Sequence, residues 1–230
     1  MSKQVVIIFG PPGAGKGTQA NLLADKIGLY HFESSKVLEA CFKKEDPKKT
    51  YKIEGQTYTI EGEIKRWQTG LLISPPFVVN LFSDKIKDLA KEDKSLVFSG
   101  SPRTVYEAEK VTPLIVELFG KENIKIFLLE ISAKTTIFRN SNRKICELMR
   151  HSILFNKETE KLTLCPLDGS KLIKRKDLDD PKVIEKRLNV FRDETFPIFE
   201  IIEKQGLKIN KINGEQNVAD VFNDILKIVQ

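Results

Sequence analysis

At 230 residues the chain is long enough to bury a full core and to form one large domain or a domain with insertions. Its 40% apolar and 30% charged residues are the balance of an ordinary globular protein, with no apolar run near the roughly 20 residues that span a bilayer. The net charge of +6 comes from scattered lysines without an RNA- or DNA-binding signature, so a small polyanionic substrate accounts for it as well as a nucleic acid would. Along the chain, Val5–Phe9 is a continuous β-branched run, the pattern of a strand buried on both faces. From Thr18 the pattern turns helical, with Leu22, Leu23 and Ile27 on one side and Gly28 placed to end it.

Between strand and helix lies the loop "GPPGAGKGT". Gly10, Gly13, Gly15 and Gly17 let its backbone adopt positive φ and approach a bulky ligand, with N–H groups pointing inward and the helix dipole behind them. That geometry suits a polyphosphate. Lys16 would reach the β- and γ-phosphates, and the Thr18 hydroxyl stands where a magnesium ligand is wanted, although Gly17 separates it from the lysine.

Further strands are expected at Leu29–Phe32, Leu96–Ser99, Ile124–Ile131 and Leu207–Ile212. Helices are expected at Val105–Phe119, at Pro181–Lys204 with a kink or restart at Pro197, and along the stripe Val218, Val221, Phe222, Ile225, Leu226, Val229. Strands alternating with helices imply an α/β fold, a parallel sheet covered on both faces with ligands outside the carboxyl ends of its strands. Lys43–Gln68, holding the hairpin-like "TYKIEGQTYTI", and the lysine-rich Met149–Lys176 fit this alternation badly and read as insertions over the active face. Three cysteines, Cys41, Cys146 and Cys165, are too few and odd in number for a disulfide framework and indicate a reducing compartment. With no signal-peptide pattern at the N-terminus, a cytoplasmic protein without membrane or nucleic-acid partners is expected.

Four motifs in order resemble the adenylate kinase family of nucleoside monophosphate kinases: "GPPGAGKGTQA", "SGSPRT" (Ser99–Thr104), "RNSNRK" (Arg139–Lys144), and "CPLDGSKLIKRKD" followed by "IEKRL". The resemblance implies a five-stranded parallel P-loop core over 1–33, 71–147 and 177–230, a monophosphate-binding insertion over 34–70 and a lid over 148–176. It also implies a monomer that moves the γ-phosphoryl of ATP, bound with Mg2+, to a nucleoside monophosphate. The donor would lie on Gly13, Ala14, Gly15, Lys16, Gly17, Thr18, Arg139, Arg143 and Gln216. The acceptor would lie among Ser34, Lys36, Leu71, Leu72, Ile73, Gly100, Arg103, Glu107, Arg175 and Arg187. Lys16, Arg103, Arg143, Arg175 and Arg187 would neutralise the transferring group, a task suited to planar, permanently charged guanidinium forks.

The chain departs from the family at four places. Glu39 replaces an acceptor-phosphate arginine, with Lys36 one turn away as the expected substitute and Glu39 either its partner or a solvated helix residue. Glu107 replaces a base-reading glutamine. As a carboxylate it would favour an amino-bearing base, hence AMP or CMP over UMP. Ser99 replaces an aspartate that orients magnesium-bound water, and Lys43–Gln68 is longer than the usual acceptor insertion. A UMP/CMP-type kinase and a nucleotide-binding module with impaired catalysis therefore remain alternatives to an adenylate kinase. In the lid, Cys165 and Asp168 match half of a zinc site found in some relatives, but the other half reads Cys146-x-x-Met149, with His151 as a substitute ligand. Methionine is a poor zinc ligand, so buried thiols packing the lid are expected in place of a metal.

Overall fold

The computed structural model describes residues 3–69, 71–150, 152–174 and 179–230. β1 (Val5–Phe9) leads through the glycine loop into α1 (Lys16–Ile27), which Gly28 ends in the left-handed conformation at φ 72°. β2 (Tyr30–Glu33) runs into α2 (Ser34–Lys44), followed by a hairpin of β3 (Thr50–Ile53) and β4 (Gln56–Thr59). Next come α3 (Ile60–Gln68), α4 (Pro75–Lys91), β5 (Leu96–Ser99), α5 (Val105–Phe119), β6 (Ile124–Glu130) and α6 (Ala133–Ser141). A small antiparallel sheet of β7 (Lys144–Cys146), β8 (Ser152–Ile153) and β9 (Leu172–Ile173) follows. The chain closes with α7 (Pro181–Val190), α8 (Ile198–Lys204), β10 (Ile209–Asn213) and α9 (Val218–Val229).

Five strands form one parallel sheet in the order β10-β6-β1-β5-β2. β1 is central, paired to β5 from Val5↔Leu96 and to β6 from Val5↔Ile124, which explains why all five of its residues are buried. Alternation along the strands divides the core. Val5, Ile7, Phe9, Phe32 and Phe98 face α4, α5 and α8, where Phe32 meets Phe82 edge-on at 5.2 Å. Val6, Ile8, Val97 and Leu129 face the other way, onto Ala20 and Leu23 of α1 and Val221 and Ile225 of α9. Each fully buried large side chain contributes about 1.5–3 kcal/mol of apolar transfer. That burial holds the two helical layers to the sheet and fixes the loop at its carboxyl edge.

The structure corrects several expectations. Gly17 lies inside α1, which starts at Lys16, so positive φ belongs only to Gly10, Gly13 and Gly15 of the loop glycines. The segment Lys43–Gln68 holds, besides its hairpin, the end of α2 and all of α3, nucleated by Thr59, whose side chain accepts from Gly62 N. The small sheet begins at Lys144, ahead of the boundary expected at 148. The helix over Pro181–Lys204 restarts at Ile198, after Pro197, as expected, and in addition contains a π-turn at Phe191–Thr195.

Candidate functional site

The phosphate loop is shaped by contact as well as by flexibility. Gly13 has φ 83°, and a Cβ there would lie 2.5 Å from Asn140 Nδ2, so α6 packs directly on loop backbone. Gly15 has φ 90° and, like Gly17, nothing within 4 Å of a Cβ position, which leaves an open cradle in front of the α1 N-terminus. Lys16 is half-buried and donates from Nζ to Gly10 O at 2.7 Å and Pro11 O at 2.9 Å. Its ammonium is desolvated by the cleft and repelled by Arg103, Arg187 and Arg143, which together pull its pKa down from 10.5 to about 7. Arg103 of the β5–α5 loop, Arg143 of the α6–β7 turn and Arg187 of α7 thus all lie close enough to repel Lys16 at the start of α1. Such a cluster is unfavourable alone and favours a bound polyanion.

Asn140, fully buried on α6, organises the contact between α6 and the glycine loop. It donates to Thr136 O at 2.7 Å and accepts from Arg143 Nη2, orienting that guanidinium while touching Gly13. Sequence reading passed over Asn140; its place within "RNSNRK", one turn after Thr136, was the available signal. Arg139, half-buried on the same helix, lies near Glu215, whose carboxylate accepts from Ser132 N at 2.8 Å and Thr135 Oγ1 at 2.7 Å. These bonds hold Glu215 below the usual carboxylate range and bind the β10–α9 turn to the start of α6. The Gln216 side chain donates to Asn213 O at 3.0 Å and Asp224 Oδ2 at 3.1 Å, within its own turn and α9. Ala14 is buried in the loop and Thr18 half-buried in the first turn of α1. Arg175 and His151 lie outside the described residues.

At the carboxyl end of β5, Ser34, Gly100 and Arg103, expected together as acceptor residues, lie side by side. Ser34 Oγ donates to Ser99 O at 3.4 Å, and Arg103 Nε donates to Gly100 O at 2.5 Å. Gly100 has φ 89°, and a Cβ there would meet Arg103 Nη2 at 2.9 Å, so glycine is required for the arginine to fold back. Thr195, in the π-turn, fixes the Arg103 backbone by donating to its carbonyl at 2.9 Å. Arg66 Nε donates to Leu72 O at 2.9 Å, anchoring the stretch in which Leu71 is exposed and Ile73 buried.

Lys36 and Glu107 each have partners besides those expected. Lys36 pairs with Glu33 at 3.0 Å and not with Glu39, which faces Arg150 Nη1 at 3.4 Å across 111 residues of chain. Glu107 is 4% exposed and serves the α5 N-terminus: its carboxylate accepts from Arg103 N at 2.8 Å while its own N–H donates to Thr104 Oγ1 at 3.2 Å. These bonds give the carboxylate a structural role at the α5 N-terminus. Burial pushes the Glu107 pKa up, with the Arg103 N–H bond opposing.

Cys146, Cys165 and Asp168 bring three ligand atoms within 4.8 Å of one another. Cys146 Sγ donates to Asp168 Oδ2 at 3.1 Å, and Asp168 Oδ1 accepts from Ser170 N at 2.9 Å and Ser170 Oγ at 2.7 Å. These bonds hold the carboxylate well below its usual range. The trio is also joined by hydrogen bonds, and the exposed Met149 is a poor fourth ligand.

A family model described as adenylate kinase matches residues 8–207. An adenylate kinase of Petrotoga mobilis is 30% identical over 98% of this chain and 97% of its own length. Adenylate kinases of Caldicellulosiruptor saccharolyticus and Bacillus subtilis are each 27% identical over 96% of this chain, covering 97% and 95% of their own lengths. The parallel sheet, the phosphate loop at its carboxyl edge, the cations converging there and a match across nearly the whole chain agree: the chain belongs to the adenylate kinase family.

Proposed function

We infer that the chain is an ATP-dependent nucleoside monophosphate kinase that transfers the γ-phosphoryl of ATP to AMP, yielding two ADP. The observation that carries this reading is the convergence of Lys16, Arg103, Arg143 and Arg187 on an open phosphate loop. An acceptor phosphate oxygen attacks the γ-phosphorus as its bond to the β–γ bridging oxygen breaks, and the residues' task is alignment and charge neutralisation. Lys16 would leave its two loop carbonyls for the β- and γ-oxygens. Arg143, oriented by Asn140, would take the donor side with Arg139, and Arg103 with Ser34, Gly100 and Arg187 the acceptor side. Arg175 is proposed as a further clamp, Lys36 and Leu71–Ile73 as the acceptor rim, and Gln216 as a backbone contact for the donor base. Mg2+ bound with ATP would neutralise charge on the β- and γ-oxygens, and Thr18 is the hydroxyl in position to hold it.

The same reading makes residues 34–70 the acceptor-binding insertion and the small sheet with its loop, through 176, the lid. It carries with it a monomer in the cytoplasm; among the described residues no helix is long and apolar enough to cross a membrane. AMP is the proposed acceptor because the curated relatives bear the name adenylate kinase, while Glu107, occupied as a cap, no longer speaks for one base over another. The test is ADP formation from ATP and Mg2+ with AMP, CMP, UMP and GMP in turn. AMP should give the highest kcat/KM. A higher value for UMP or CMP would reassign the acceptor, and inertness toward all four would remove the kinase reading.

A further inference from the structure

Pleating turns His31 and Glu33 of β2, and Ser99 at the end of β5, to the same sheet face as Val6 and Ile8, the face covered by α1. There the sheet carries a continuous chain of side-chain hydrogen bonds. His31 Nδ1 lies 2.7 Å from Asn21 Oδ1 and His31 Nε2 lies 2.6 Å from Ser99 Oγ. With Asn21 presenting its amide oxygen, Nδ1 carries the imidazole proton and Nε2 accepts the hydroxyl proton of Ser99, an assignment that the tautomer measurement below checks. With its proton turned away, Ser99 Oγ offers only lone pairs to the cleft. Asn21 is one turn beyond Thr18 on α1, so the chain links the helix carrying the candidate metal hydroxyl to the strand end beside the phosphate loop.

P-loop enzymes commonly need an acceptor here, since their metal is held by a loop hydroxyl together with an acidic group. Ser99, 7% exposed, stands at the carboxyl end of β5, in register with Ile8, two residues before the loop begins. The carboxylate in register with Ser99, Glu33, has other partners: Lys36 lies 3.0 Å from its Oε2 and Ser35 Oγ donates to its Oε1 at 3.0 Å.

We propose that Asn21 and His31 are positioning residues that lock the Ser99 hydroxyl as an acceptor for a metal-bound water at the nucleotide-phosphate site. The proposal rests on the kinase reading above, since it needs a metal–nucleotide complex at the loop.

The test combines tautomer and metal affinity in the intact protein. Nitrogen-15 NMR should show neutral His31 protonated at Nδ1. Mn2+ titration of the ATP-bound protein, followed by electron paramagnetic resonance, should show roughly tenfold weaker metal binding for Ser99→Ala and for His31→Asn, which keeps the arm toward Asn21. The double variant should be no weaker than either single, because both remove one acceptor. Ser99→Asp should restore metal affinity and make it indifferent to His31→Asn, and ATP affinity without metal should not change in any variant. A proton on Nε2, additive losses, or single variants with wild-type Mn2+ affinity would overturn the proposal while leaving the kinase reading intact. A wild-type protein that fails to bind ATP would remove both.

Discussion

Lys16 keeps its charge at a cost that a triphosphate would remove. Its pKa of about 7 in the free protein reflects desolvation and three neighbouring guanidinium groups, and bound phosphates would return it toward its ordinary value of 10.5. A group whose pKa rises on binding takes up a proton, so ATP affinity is fully present below pH 7 and falls as pH climbs above it. Calorimetry at pH 8 in two buffers of different ionisation enthalpy should show uptake of about one proton per ATP; no uptake would mean that the ammonium does not meet the phosphates. Lys16→Met should lower kcat by about 10^3-fold, the scale of losing a charge aimed at the transferring group, with thermal stability retained or raised. Arg143→Ala should also lower turnover and, through Asn140, loosen the contact between Gly13 and α6.

At the scale of elements, the α5 N-terminus and the small sheet each answer a question left by residue type. Glu107→Ala should destabilise the protein by about 1–2 kcal/mol, because it strips the cap from the Arg103 N–H. Glu107→Gln keeps a carbonyl acceptor and removes a buried charge. Since burial raises the carboxyl's pKa above its unfolded value, the native carboxylate loses stability as pH rises through that pKa, and the glutamine variant should gain relative to wild type at neutral pH. Denaturant melts at pH 5 and pH 8 check the sign, and a shift in base preference by either variant would return Glu107 to the acceptor pocket. In the small sheet, Asp168 is already satisfied by Ser170 and Cys146, so elemental analysis should find no stoichiometric zinc and a chelator should leave Tm unchanged. Asp168→Ala should nonetheless lower Tm by freeing a buried thiol and the turn at Ser170.

Across the whole molecule, the two segments flanking the cleft meet the core differently. Tyr51, Ile53 and Tyr58 of the hairpin pack against the main cluster, with Tyr51 edge-on to Phe77 at 5.2 Å. The 144–174 segment leaves Leu148, Leu164 and Leu167 exposed and touches α2 through Arg150 and Glu39. Its anchoring is correspondingly weaker. Glu39→Gln should therefore shift the segment toward an open position, but by no more than a few-fold, since an exposed ion pair contributes about 0.2–1 kcal/mol. Fluorescence transfer between labels on α2 and on the β8–β9 loop would read that shift, and hydrogen exchange should be faster in β7–β9 than in β3–β4.

By itself the sequence determined the parallel sheet, the phosphate loop and the family. β-branched runs, glycine spacing and helical stripes are local patterns, and Val5–Phe9, Leu96–Ser99 and Val105–Phe119 carry them undiluted. Partnerships across the fold were decided only by tertiary structure. Lys36 and Glu39, one turn apart, invited a pairing that Glu33 and Arg150 claimed instead. Glu107 accepts from the backbone ahead of α5, a partnership that its residue type alone does not show. His31 and Ser99 stand 68 residues apart and meet only because β2 and β5 are neighbours in the sheet. A hydrogen bond depends on distances of a few tenths of an ångström between groups that folding brings together, and residue type along a chain does not encode those distances.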